Sequence, residues 1–265
     1  MVQYYDQAVN WTKKNKPVNT SFDTFYAISV ELLGKTDLPG PSDWRGWYQR
    51  GNALAELGLF ESALESFTKS ISINPNVTYL YWYRAALLHL VLGDTEGYLQ
   101  TCQLMLKHSG KTKSAYKAHW IAQTCTLSPE SVEDWSMPLA LAKLAMADEV
   151  ESKKHTGRGL VGEVLYRADR FEEAINILNE EVADWDKNGL PLVANPPHTL
   201  FFLSMAHYRR GNLDEALLFY NQAIEWIEQK GIGAVTWSTT LRIQLIRQEA
   251  ESLIYDKALE RQEKI

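Results

Sequence analysis

A spacing of twelve residues between two small side chains recurs three times in this chain, at Gly51 and Ala63, Gly162 and Ala174, and Ser204 and Ala216. Each pair brackets a short turn and lies in text whose apolar residues follow a helical period rather than an alternating one. Small residues on consecutive helices let two backbones approach closely where they cross, so the recurrence predicts a series of antiparallel helical hairpins. Around the first crossing, Trp47 and Phe67 supply bulk, Gly58 a tight turn and Pro75 a stop for the second helix. No alternating run bounded by turn residues is present, so no sheet is expected.

Segment 44–76 carries Trp47, Gly51, Leu57-Gly58, Phe60, Ala63, Phe67, Ser70 and Pro75. At that spacing they resemble the tetratricopeptide pattern, whose period is ~34 residues. The next unit is looser: Trp82 and Gly93 each follow their counterparts Trp47 and Gly58 by 35 residues, while Tyr98 stands where small Ala63 stood. That crossing must be adjusted. Region 112–148 reads as a degenerate hairpin, with helices near 113–126 and 137–148 flanking Ser128-Pro129. The pattern returns over 155–187, with Asp169 in the place of the turn glycine. After a loop holding Asn188-Gly189, Pro191 and Pro196-Pro197 it returns again over 197–229.

The tail from Thr236 to Ile265 reads as one helix with the apolar stripe Trp237, Leu241, Leu245, Ala250 and Leu253, a cap of the kind an open-ended solenoid needs. The expected organisation is a helical hairpin and linker over 1–41, tetratricopeptide-like repeats over 42–235, and a capping helix over 236–265. The expected fold is all-α, a right-handed α-solenoid.

Composition narrows the function. A chain of 265 residues exceeds the size at which one compact core usually stops growing, and a solenoid avoids that limit by extending in one dimension. With 45% apolar and 23% charged residues the chain folds, and a net charge of −6 argues against nucleic acid as the partner. The basic residues between Lys107 and Lys117 read as a solvated loop. Cys102 and Cys125 have no CxxC context, which points to a reducing compartment. The N-terminus lacks a signal peptide's basic start and apolar run, and no stretch approaches a membrane span, so a cytoplasmic protein without membrane insertion is expected.

Several motifs are more particular: Gly93-Asp94-x-x-Gly97-Tyr98-x-x-x-Cys102-x-x-Met105-Leu106, Thr124-Cys125-x-Leu127-x-Pro129, Leu165-Tyr166-Arg167-Ala168-x-Arg170-Phe171-Glu172-Glu173-Ala174, Met205-Ala206-His207-Tyr208 and Leu245-x-Arg247-x-Glu249-Ala250-Glu251-x-Leu253. Together, over roughly 44–254, they resemble the tetratricopeptide region at the C-terminal end of planctomycete-type multidomain proteins, notably serine/threonine kinases and WD40-repeat proteins. That resemblance implies a bacterial interaction or regulatory module. It carries over no kinase activity, because the kinase motifs are missing.

No catalytic constellation is present: there is no GxGxxG, GxxxxGK[ST], GxSxG or HExxH. None of His89, His108, His119, His155, His198 and His207 is paired at metal-ligand spacing, so neither metal nor cofactor is expected. The acid pairs Glu172-Glu173 and Asp214-Glu215 fall in the first turn of second helices, where the helix dipole favours negative charge. Cys102 stands at the position of Phe67, a core position.

By register, the first helices of the hairpins should line a concave groove with Arg45, Tyr48, Asn52, Tyr83, Arg84, Glu163, Tyr166, Arg167, Phe201, Met205, Tyr208 and Arg209. Tyrosine and arginine dominate that set, as in interface anchors. The carboxylate clamp of chaperone-binding repeat proteins is not met, since Tyr48 replaces the expected lysine and Arg84 the second asparagine. The expected function is non-catalytic capture of a protein or peptide segment. The alternative is regulation within a multidomain signalling protein.

Overall fold

Small-to-small spacing makes hairpins only if a sharp reversal joins the two helices, and four reversals share one geometry. In this computed structural model, which describes residues 43–75, 79–152, 157–188, 196–230 and 236–262, Gly58, Gly93, Asp169 and Gly211 all adopt positive φ, between 57° and 82°. At each, the amide of the left-handed residue bonds the carbonyl three residues back, and the next amide bonds the carbonyl five back. The pairs are Gly58 to Ala55 with Leu59 to Leu54, Gly93 to Leu90 with Asp94 to His89, Asp169 to Tyr166 with Arg170 to Leu165, and Gly211 to Tyr208 with Asn212 to His207. This is the Schellman closure, which satisfies the last carbonyls of the first helix and starts the second in the opposite direction. The N-terminal hairpin and linker expected over 1–41 lie outside the described residues.

The described residues form eleven helices and no strand: α1 (Trp44–Glu56), α2 (Phe60–Ile73), α3 (Tyr79–Val91), α4 (Thr95–Ser109), α5 (Ala115–Cys125), α6 (Ser136–Ser152), α7 (Gly157–Arg167), α8 (Phe171–Asn188), α9 (Pro196–Arg209), α10 (Leu213–Lys230) and α11 (Trp237–Gln262). The all-α expectation holds, and the degenerate hairpin is present as α5 and α6. Side chains close several N-termini: Asp43 accepts from the Gly46 amide at 2.8 Å and Asp94 from the Gly97 amide at 2.9 Å. Glu172, Glu173, Asp214 and Glu215 occupy first turns as expected.

The chain divides into two compact units, Met1–Leu88 and His89–Ile265. In the first, α1 packs on α2. A side chain on Gly51 would come within 2.9 Å of the Phe67 ring, which explains the glycine. In the second unit, α5 packs on α6, α7 on α8 and α9 on α10. There, a β-carbon on Gly162 would fall 2.3 Å from Leu178, sixteen residues on, the same offset as Gly51 and Phe67. Ser204 at the equivalent position donates its hydroxyl to the Ala216 carbonyl at 2.6 Å. Ala63, Ala174 and Ala216 are fully buried.

Tyr98, the large residue in a small residue's place, is also fully buried. Its hydroxyl donates to the carbonyls of Thr124 and Cys125 at 2.9 and 3.2 Å. Those are C-terminal carbonyls of α5, which also take the Leu127 amide and the Ser131 hydroxyl, so the phenol shares in capping that helix.

Within the second unit the first helices α5, α7 and α9 lie side by side, and α11 continues that layer by packing on α9 and, less extensively, on α10. Its buried face is Trp237, Ser238, Arg242, Ile243, Ile246, Ala250 and Ile254. Leu241, Leu245 and Leu253 of the expected stripe are only half-buried. The face is therefore rotated from the expected one, and a charged residue, Arg242, lies inside it.

Candidate interaction surface

The residues expected to line a groove divide by unit and by burial. In the first unit, α1 buries only Gly51, Leu54 and Ala55, leaving the rest of the helix half-buried or exposed. Arg45 is exposed, with its guanidinium 4.1 Å above the Trp44 ring. Tyr48 is half-buried and stacked on Tyr81, with ring centroids 3.5 Å apart and planes 6° apart, while Trp44 lies against the same ring at 5.9 Å. Arg84 on α3 donates to both the Tyr48 hydroxyl and the Asn52 carbonyl oxygen. Its guanidinium also lies 5.4 Å from the Tyr48 ring centre. Tyr48, Asn52 and Arg84 thus form one connected, partly solvated patch with Arg45 a turn away. Tyr83, the sequence counterpart of Tyr48, is buried at 3% exposure and presents no surface.

In the second unit most of the expected set is inside. Glu163, Tyr166, Arg167, Phe201 and Met205 are buried, whereas Tyr208 is half-buried and Arg209 exposed. The reason is enclosure of the helices that carry them. α7 touches α5, α6, α8 and α9, and α9 touches α7, α8, α10 and α11. From Gly159 to Arg167 and from Pro196 to Ala206 every residue is buried, so neither stretch keeps the solvent face that an open groove requires. Tyr166 packs against Phe171 and Phe202 at 5.6 and 5.4 Å. Phe201 packs against Tyr220 at 5.6 Å.

The buried charges are paired across long stretches of chain. Arg167 makes a two-pronged contact with the Glu249 carboxylate, one prong at 2.7 Å, and its Nε donates to the Thr126 carbonyl at 3.0 Å. Glu163 accepts from the Thr126 hydroxyl at 3.0 Å and from Arg242. Tyr220 donates to Glu251 at 2.6 Å, and Arg247 holds the same carboxylate at 2.8 Å. The Tyr220 and Arg247 contacts pull the Glu251 pKa down, and burial together with Glu251 pushes the Tyr220 phenol well above its ordinary value in turn. His198, fully buried on α9, has its pKa driven well down by desolvation and by the charge of Arg242. Thr126, His198, Arg242 and Glu249 were not among the groove candidates. Arg242 and Glu249, seven residues apart and so on one face of a helix, were the available signal.

No group of three or more His, Cys, Asp or Glu side chains is placed to hold a metal ion among the described residues. Cys102 and Cys125 are both buried, and the Cys102 side chain hydrogen-bonded to Cys125, together with burial, pushes the Cys125 thiol pKa well up, opposite to what a nucleophile needs. No described helix is long and apolar enough to cross a membrane.

Tetratricopeptide repeat family models match residues 44–77 and 162–230, the segments where the small-residue spacing is regular. No curated protein matches the chain. Among solved structures, a tetratricopeptide repeat protein from Parabacteroides merdae is similar over 98% of this chain and 97% of that one, at 13% identity and a TM-score of 0.53. A thermophilic TPR protein from Thermus thermophilus is similar over 78% of this chain and 98% of that one, at 20% identity and a TM-score of 0.48. The first of these likenesses shows the fold.

Proposed function

Starting from a chain that carries tetratricopeptide repeats, we propose that this protein is a non-catalytic scaffold that holds a segment of a protein partner on the face formed by α1 and α3. The carrying observation is the connected patch of Tyr48, Asn52 and Arg84 with Arg45, which stays partly solvated while Glu163, Tyr166, Arg167, Phe201 and Met205 in the second unit are enclosed. Tyrosine suits such a place, because its ring takes up apolar surface and its hydroxyl stays bonded. Two arginines there favour an acidic segment. Repeats of this kind generally mediate protein–protein contacts. The alternative use, regulation of a signalling domain such as a serine/threonine kinase, rests on the motif resemblance.

The test is affinity capture from the native host with the parent and single variants. Tyr48→Ala should weaken partner capture by about 1–2 kcal/mol at temperatures where the variant is folded. Tyr166→Ala should lower the melting temperature and leave capture by the folded fraction unchanged. Equal capture by the parent and Tyr48→Ala would remove the first-unit face from the proposal.

A further inference from the structure

We propose that the face of α7 and α9 beneath α11 is a second, helix-binding site, that α11 is its resident ligand, and that an amphipathic partner helix with an arginine and a glutamate seven residues apart displaces it. This deepens the reading above, since it assumes a chain that works by binding protein segments.

A helix that merely closes the end of a helical stack needs an apolar face inward and a polar face outward. α11 carries more. Besides Ile243, Ile246, Ala250 and Ile254, it inserts Arg242 onto Glu163 and presents Glu249 to Arg167. Both receiving groups belong to α7, although α11 packs on α9, so these side chains reach past the neighbouring helix. The Arg167 side chain is only 1% exposed and that of Glu163 6%.

Buried ion pairs of this kind add little net stability, because desolvation offsets the attraction, but they specify which side chain docks where. Separating them returns both partners to water, so this interface dissociates more readily than an equal area of purely apolar core. The chemistry the face demands is written in its lining. Glu163, held by a hydrogen bond from the Thr126 hydroxyl, receives a cation, Arg167 receives a carboxylate in two-pronged fashion, and the surface between takes isoleucine-sized side chains. Any competing helix must repeat the pattern of Arg242, Ile243, Ile246, Glu249 and Ala250.

The probe is a fluorescein-labelled peptide of residues 237–262, titrated with the full chain and followed by anisotropy. Its affinity for the parent is reduced by the fraction of chains whose own α11 occupies the site. In the Glu249→Gln chain the resident helix loses its pair with Arg167 while the peptide keeps it, so the peptide should bind about tenfold or more tighter than to the parent. A peptide carrying the same Glu249→Gln change should show no such gain. Hydrogen exchange on the unaltered chain gives a readout independent of any variant: α11 amides should exchange faster than those of α9, as an element that opens on its own does.

Equal affinity for both chains overturns the proposal. So does a gain indifferent to residue 249 of the peptide, or exchange in α11 as slow as in α9. A parent chain that is a dimer with exchanged α11, dissociated by excess peptide, assigns the site to a second copy and overturns the partner assignment. None of these readouts uses the partner captured in the first-unit experiment, so either proposal can fail alone.

Discussion

Asp169 sits at φ 57°, in the backbone region that three other reversals fill with glycine. A β-carbon there crowds the following carbonyl, at a cost of roughly 1–2 kcal/mol that aspartate bears somewhat better than most residues. The residue is exposed, so replacing it sacrifices no packing. Asp169→Gly should therefore raise stability by about 0.5–1 kcal/mol, while Gly58→Ala, Gly93→Ala and Gly211→Ala should each lower it by about 1 kcal/mol. Urea denaturation midpoints at unchanged slope check this, and a lower midpoint for Asp169→Gly would show that the aspartate side chain holds the turn. A second local device repeats at two of these turns, those of Gly93 and Gly211. His89 contacts Asp94 at 2.7 Å, and His207 lies 3.5 Å from the Asn212 amide, each histidine four residues before the turn glycine and five before its partner.

At the scale of the element, α11 shows how a helix can be read correctly in position and only in part in face. Its start near residue 236 follows from composition, and the stripe Trp237, Leu241, Leu245, Ala250 and Leu253 follows from an apolar count. The observed face keeps Trp237 and Ala250 but takes in Ile243, Ile246 and Ile254 in place of the three leucines, because Glu163 and Arg167 supply partners that make Arg242 an interior residue and turn Glu249 toward α7. Ile243→Ala and Ile246→Ala should each cost about 2–4 kcal/mol. Leu241→Ala and Leu245→Ala, at half-buried positions, should cost about half as much. Chemical denaturation of the four variants checks the register, and a Leu241→Ala loss as large as that of Ile246→Ala would return the face to the sequence-based one.

For the molecule as a whole, the buried His198 makes stability depend on pH in a window of its own. Desolvation and Arg242 hold the folded pKa well below the ordinary 6.5, whereas the unfolded chain takes up the proton near that value. Below about pH 6.5 the unfolded state binds more protons, so stability falls as pH falls toward the folded pKa. The melting temperature should decline between about pH 7 and pH 5, and His198→Phe should flatten most of that slope. His207, whose pKa is also lowered by burial, leaves a smaller remainder of the same sign. Glu251, Asp94 and Glu173 have lowered pKa values, so their stabilisation is lost only below about pH 4.5 and does not overlap. An unchanged slope in His198→Phe would place the titrating group elsewhere.

The all-α class, the positions of the hairpins and the glycine-type reversals were legible in the sequence because they rest on local physics. Gly51, Gly162 and Ser204 with their alanines twelve residues on state where two backbones meet, and Gly58, Gly93 and Gly211 state where the chain turns back. Even the degenerate hairpin over α5 and α6 follows from periodicity and Ser128-Pro129. The groove was legible only as a set of first-helix positions. Whether such a position faces water depends on what lies over it, and that is a property of segments far apart in the chain. Tyr48 and Tyr83 have equivalent registers, as do Tyr166 and Tyr208, yet one of each pair is buried and the other half-buried. Arg167 read as a groove cation from its neighbours, and became an interior one because Glu249, 82 residues away, lies against it. Sequence by itself determined the hairpins, whose contacts are closed within a few turns of chain; tertiary structure alone decided which of their faces remained available, because burial is set by long-range packing that no local pattern encodes.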